Sequence, residues 1–202
     1  MRAESGIPEH QIRPYQRSDA ASWLRCRLLS FFSTNYYDDV AVERPRYAAP
    51  AIQRVAVVDE AVVGLIDVAV AGAKATIEVL AVHPEHARRG LGTALLHSVL
   101  TELRDAGAVE TLDVWTREDV PANRWYLRSG FTEAFSYLHV YKSHEDDAAG
   151  FQSPAGLDPP LTAFVHAPRE REAELRRRFR RVYVCRRYVR ALRGGAATCD
   201  TP

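Results

Sequence analysis

One stretch of the 202-residue chain combines glycines, paired arginines and an abrupt change of periodicity: Val82-His83-Pro84-Glu85-His86-Ala87-Arg88-Arg89-Gly90-Leu91-Gly92-Thr93-Ala94-Leu95. Residues 76–82, just before the turn, are apolar except for Glu78 and predict a strand. After the turn Leu91, Leu95, Val99 and Leu103 recur every four residues, which is a helical step. The first N–H groups of a helix lack internal acceptors and carry roughly half a positive charge. A strand–turn–helix of this kind can therefore hold a diphosphate. Gly90 and Gly92 let phosphate oxygens come close to the backbone, and Arg88 and Arg89 add full charges. An ordinary turn with solvated arginines has the same residues, and G-x-G alone is a weak signal.

Glu78 is the one ionisable side chain in 76–82. So apolar a run suits a strand buried on both faces. A carboxylate there is costly unless it has a partner or a task. Pairing with an arginine is one explanation and proton transfer is the other.

A second stretch, Asn123-Arg124-Trp125-Tyr126-Leu127-Arg128-Ser129-Gly130-Phe131, stands about thirty residues downstream. Together the two resemble the motifs of the GNAT N-acyltransferase superfamily: V-x-P, basic residues and G-x-G, then an Asn, a Tyr and Gly-Phe. Pro84, Arg88, Arg89, Gly90, Gly92, Leu95 and Leu96 match, whereas Ala87 stands where Gln or Arg is usual. The resemblance covers roughly residues 12–142.

What the resemblance implies is an α/β fold with a mixed, mostly antiparallel central sheet flanked by helices. It also implies acetyl transfer from acetyl-CoA to a primary amine by direct attack, without a metal. Arg88, Arg89, Gly90, Leu91, Gly92 and Thr93 would hold the pyrophosphate. The backbone of Leu80, Ala81 and Val82 would pair with the pantetheine arm, one amide facing the thioester oxygen. Tyr126 would protonate the departing thiolate, since a phenol of pKa about 10 keeps its proton at pH 7; its alternative is to pack in the helix–sheet core. Asn123 would contact CoA, or serve only as a polar residue at a helix start. Glu78 would take the proton of the amine, whose neutral form lies roughly 4–5 kcal/mol uphill at pH 7. Tyr36, Tyr37, Asp38 and Trp115, with Asp39, Asp67, Thr116 and Arg117, are the candidates for the acceptor side, because acidic and aromatic groups suit a cation. Each also fits a surface loop or a hairpin charge facing water.

These residues need elements to position them. The patterns predict a strand at 12–15 and a helix capped by Ser18 or Asp19 with Leu24, Leu28, Phe31 and Phe32 as its apolar face. A hairpin at 52–58 and 62–71 follows, then the strand at 76–82, the helix closed by Gly107 and a strand at 109–115. A short helix capped by Asp119 with Pro121 in its first turn leads to a strand at 131–142. A helix crossing between 76–82 and 109–115 implies a mixed α/β sheet. Residues 143–161 read as a loop, 161–167 and 182–189 as strands, and 168–181 as helix-prone. The chain thus divides into an acetyltransferase domain, 1–143, and an extension, 144–202, packing on or completing it.

The net charge of +1 conceals an asymmetry, for 169–193 holds eleven arginines against three glutamates and leaves about −7 elsewhere. Interleaved with Phe179, Tyr183 and Tyr188, these arginines raise an alternative, a nucleic-acid-binding module with a degenerate acyltransferase body. Glu170, Glu172 and Glu174 at helix-pairing distances favour a structural tail instead, one that completes the sheet or forms a homodimer contact. Nucleic acid is therefore not the expected partner; a small-molecule or peptide amine is. Cys26, Cys185 and Cys199 lack disulfide or zinc spacing and suggest reduced thiols in the cytoplasm. No apolar run is long enough for a membrane, since Asp67 interrupts the best candidate.

Overall fold

The computed structural model describes residues 10–47 and 50–192. Arg193 and Cys199, singled out above, lie outside them. The chain runs β1 (Gln11–Pro14), α1 (Ala20–Phe31), β2 (Ala51–Val58), β3 (Ala61–Ala71), β4 (Lys74–Val82), α2 (Leu91–Ala106), β5 (Thr111–Thr116), α3 (Val120–Arg128), β6 (Thr132–Lys142), β7 (Ala163–Ala167), α4 (Glu172–Arg178) and β8 (Arg181–Ala191). One eight-stranded sheet has the order β1-β2-β3-β4-β5-β8-β6-β7. Among the described residues only β4 and β5 pair in parallel, joined by α2, and every other pairing is antiparallel. Mixed and mostly antiparallel is thus what forms, with strand ends within a few residues of those expected.

Burial divides by face. The four-residue step of α2 packs Leu91, Leu95, Val99 and Leu103 into one core with Ile66, Val68, Ile77 and Leu112. Gly107 ends that helix at φ 67°, a conformation that glycine adopts without strain. α1 covers the other face, where Trp23 and Cys26 pack against Val55, Leu65, Val79 and Ala81. Alternation along β8 puts Val182, Val184 and Tyr188 on one face. Tyr188 joins the α2 core, while Val182 and Val184 pack with Leu138, Val140, Leu175 and Phe179 under α4.

Two expectations for α1 change. Its buried stripe is Trp23, Cys26 and Arg27, whereas Leu28 and Phe32 are exposed. An arginine can sit in that stripe because its guanidinium is satisfied by the Asp39 carbonyl at 2.7 Å and carboxylate at 3.1 Å. Asp19 stands at the helix start but makes no capping bond to α1. Its carboxylate instead takes the Gln16 N–H and both arms of Arg13.

The β4 strand departs most from expectation. Its register with β3 runs from Val68↔Ile77 to Asp67↔Val79, so Glu78 has no partner. This one-residue bulge exchanges the strand's faces. Ile77 points to the α2 core, Val79 and Ala81 to the α1 core, and Leu80 and Val82 to the α2 side again. Pairing with β5 covers Lys74 to Ile77 and stops there. Residues 79–82 stay held by β3 but, like Glu78, are open toward β5. Glu78 is consequently exposed rather than enclosed by a dry core.

The arginine-rich segment is α4 and β8. Arg171 pairs with Glu174, Arg176 with Glu172 and Glu118, Arg181 with Asp38, Arg186 with Glu133, and Arg187 with Asp113. Such internal pairing takes up much of the arginine array that a phosphate-binding surface needs, and the nucleic-acid alternative is not supported.

β8 lies between β5 and β6, which do not pair with each other among the described residues. A chain ended after Ser143 loses the strand that joins them. It should show no cooperative thermal unfolding by circular dichroism, and a sharp two-state melt would contradict this placement.

Candidate active site

The open edge of β4 borders a cleft of about 220 Å³. Its walls come from β4 residues 77–82, the end of β5, the start of α3, α1 and the loop after it. From Val82, the last β4 residue on the cleft, the chain passes into the turn before α2, whose own residues do not line the cleft. Arg88 and Gly90 have φ of 61° and 82°, so the chain reverses sharply there. The first backbone bond of α2 runs from Ala94 N–H to Gly90 O at 2.9 Å. The amides of Leu91, Gly92 and Thr93 precede it and find no intrahelical acceptor, and Gly90 has no side chain to cap them. Gly90 is dictated by its positive φ. Gly92 is not, since an added Cβ would meet Trp125 and Val82 at ordinary contact distances of 3.7 and 3.8 Å. Arg88 and Arg89 are exposed beside the turn.

Tyr126 is buried and lines the cleft. Its ring stacks on Tyr188 at 5.9 Å and meets Phe131 edge-on at 5.5 Å. Packing and cleft access, posed as alternatives, coexist. Burial and the nearby Tyr36 push its hydroxyl pKa well above the usual phenol value, so it holds its proton. Tyr36 reaches the same cleft from the loop after α1, accepting the Arg117 N–H at 2.9 Å. Burial raises its pKa to about 12.

Asn123 has a different task from the one the resemblance implies. Its amide donates to Arg117 O at 2.7 Å and Asp119 O at 2.8 Å, and its oxygen accepts the Tyr188 hydroxyl at 2.8 Å. Both of its protons are thereby engaged inside the protein. It ties the start of α3 to β8 and supports the Tyr188 ring on which Tyr126 stacks.

Four carboxylates behave differently. Glu78 faces the cleft, and partial burial, then the Asp113 charge, raise its pKa. Asp113 itself is engaged by the Thr76 hydroxyl at 2.5 Å and Arg187 at 2.7 Å. Asp119, expected as a helix cap, makes no such bond. One of its oxygens accepts the Asn35 N–H at 2.9 Å, while the other is buried without a partner in the cleft wall. Burial raises its pKa too. Nothing in the sequence separates Asp119 from a capping aspartate; its neighbour across 84 residues decides the matter. Asp67 is fully buried and paired with Arg44 at 2.8 Å, not facing water and not on the cleft. Desolvation outweighs even that guanidinium and raises it to about 6.

Of the other acceptor candidates, Trp115, Thr116 and Asp39 line the cleft. Tyr37 and Asp38 do not: Asp38 takes both arms of Arg181 at 2.6 Å, and the Tyr37 ring lies under the same guanidinium. Arg27, Ser30 and Thr34 are cleft residues that the helical pattern left unmarked, and Phe31, read as part of the apolar face of α1, lines the cleft as well.

Residues 13–131 match the acetyltransferase (GNAT) family. No curated protein matches the sequence. Among solved structures, PaiA N-acetyltransferase of Thermoplasma acidophilum in complex with coenzyme A is 14% identical, with TM-score 0.52 over 62% of this chain and 91% of that one. The ribosomal-protein-S18-alanine N-acetyltransferase of Escherichia coli is 15% identical, with TM-score 0.54 over 93% and 97%. A GNAT-family acetyltransferase of Staphylococcus aureus is 14% identical, with TM-score 0.57 over 92% and 100%. At such identities these likenesses establish a shared fold.

Beside the cleft on β6, His139 is lowered to about 4 by burial and by Arg117 and His166. The unfolded chain, with an imidazole near 6.5, binds more protons between these values, so stability rises with pH across that window. It is complete above pH 6.5 and lost as pH falls toward 4. Urea midpoints should drop more over this range in wild type than in His139→Phe; parallel curves would refute the assignment.

Proposed function

The chain belongs to the GNAT acetyltransferase family, and from that membership and the cleft we propose that it is an acetyl-CoA-dependent N-acetyltransferase acting on a primary amine. The observation that carries this reading is the β4 edge opened at Glu78, adjacent to the uncapped amides that start α2. The residues present fit the co-substrate. The amides of Leu91, Gly92 and Thr93, with Arg88 and Arg89 beside them, suit a diphosphate. The open backbone of Leu80, Ala81 and Val82 suits an arm that pairs as an extra strand would, and one of these amides can donate to a developing oxyanion.

Transfer is direct. The amine nitrogen bonds to the acyl carbon as its proton passes to Glu78, straight or through a water. The carbon–sulfur bond breaks, and sulfur takes the Tyr126 proton. A raised pKa makes Glu78 a better base than a solvent carboxylate. Asp119 offers the incoming ammonium a second negative group, while Arg27 at the rim is already matched to Asp39. Cytoplasmic residence belongs to the same reading and is supported by the buried free thiols of Cys26 and Cys185.

Free-thiol release from acetyl-CoA with a panel of amines tests the activity. Tyr126→Phe should lower kcat by about 10²–10⁴ while calorimetry shows CoA still bound; an undiminished kcat removes the hydroxyl from the mechanism. As a base, Glu78 must be ionised, so the rate falls as pH drops through its pKa. Glu78→Gln should lower kcat and abolish that acid limb. A variant that keeps the limb assigns the proton to another group.

A further inference from the structure

The sheet face that carries the cleft continues past it as an aromatic floor. Side chains two apart along a strand share a face, and Phe135, Tyr137 and His139 of β6 lie beside Phe164 and His166 of β7. Trp115 joins this row to the cleft. It lines the cleft, and its ring meets Tyr137 at 5.3 Å and Phe135 at 6.2 Å, both edge-on. From Tyr137 the row passes to His166 at 4.6 Å and on to Phe164 at 5.1 Å. The opposite face of these strands is closed by Leu175 and Phe179. On the open face Trp115 remains 38% exposed, Phe135 36% and Phe164 49%, although each is a large apolar side chain.

Charge is arranged unevenly along this path. At the cleft end, Glu78 faces the cavity and Asp119 has an oxygen without a partner. Along the floor the charged groups are cations already matched, Arg187 to Asp113 and Arg181 to Asp38, and the His139 imidazole is neutral at pH 7. A polyamine reaching outward would set its second ammonium among arginines and ring edges, where the carboxylates of Asp113 and Asp38 are already paired. An aromatic body would cover exposed rings and gain offset or edge-on contacts.

We propose that the acceptor is a small primary amine bearing an aromatic ring, its ammonium directed to Glu78 and Asp119 and its ring laid on Trp115 and the Phe135–Tyr137 pair. This rests on the N-acetyltransferase reading, and continuity through Trp115, which belongs to both cleft and floor, argues for it. Selectivity then comes from the floor, while the chemistry stays with the cleft.

The test is steady-state kinetics of the full chain with acetyl-CoA, comparing 2-phenylethylamine and tryptamine with butylamine and spermidine. The aryl amines should exceed butylamine about tenfold in kcat/KM, mainly through KM. Trp115→Ala should lower the aryl-to-alkyl ratio about tenfold, and Trp115→Phe should restore most of it. Phe135→Ala, at the outer edge, should lower the ratio less and guards against misfolding of the first variant. Equal losses for every amine, a preference for spermidine, or CoA binding with no aryl-amine turnover would overturn the proposal. So would light scattering in which Trp115→Ala and Phe135→Ala convert a dimer to a monomer, since a second copy would then cover the floor. Failure to bind CoA at all would instead remove the reading beneath it.

Discussion

β4 carries one residue more than β3 can pair, and the strand absorbs the surplus at Glu78. A bulge normally bends a strand and increases its local twist. Here it falls where the parallel pairing with β5 ends, so the two strands part instead of continuing side by side. Three consequences follow from that single extra residue. The backbone beyond it is left with hydrogen-bonding groups that no neighbouring strand takes. The inward and outward sides of the strand exchange, so apolar side chains feed both cores. The unpaired residue itself is a carboxylate, placed at the mouth of the gap rather than under a helix.

The gap stays open because its two sides are held independently. β4 is fixed by β3 on one edge and by α1 and α2 above and below. Gly64, opposite Val82, admits α2 so closely that an added Cβ would lie 3.1 Å from a Leu95 methyl. That close approach seats α2 at the end of β4, and a Cβ at Gly92 would lie 3.8 Å from a methyl of Val82, the last β4 residue on the cleft. β5 is fixed by β8, whose Tyr188 also supports Tyr126 and anchors Asn123. Proton donor and strand gap therefore depend on the last described strand, whose Tyr188 lies 65 residues beyond Asn123.

Features that short-range periodicity controls could be read directly from the residues. The α2 step of four, its glycine ends and the two motifs, the second carrying Tyr126, all concern neighbours within a turn or two. What escaped reading was decided by distant partners. Asp19 and Asp119 carry the residue type of a helix cap, yet Arg13 and the Asn35 amide claim their carboxylates. The α1 stripe includes Arg27, which a hydrophobic pattern discards, because Asp39 compensates its burial. The bulge has no marker, since an apolar run reads alike with or without a missing pair. The position of β8 between β5 and β6 is a matter of topology, and its arginines look like a polyanion site until Arg181, Arg186 and Arg187 are followed to their carboxylates. Asp67 likewise reads as a hairpin charge until Arg44 is found beneath it.

Backbone amide hydrogen exchange with and without coenzyme A tests whether the amides freed by the Glu78 bulge and by the start of α2 receive the co-substrate. Exchange should slow at Leu80, Ala81 and Val82 and at Leu91, Gly92 and Thr93 when coenzyme A is added. Saturating binding that leaves both segments exchanging at their free rates would show that the parted strands serve some other purpose.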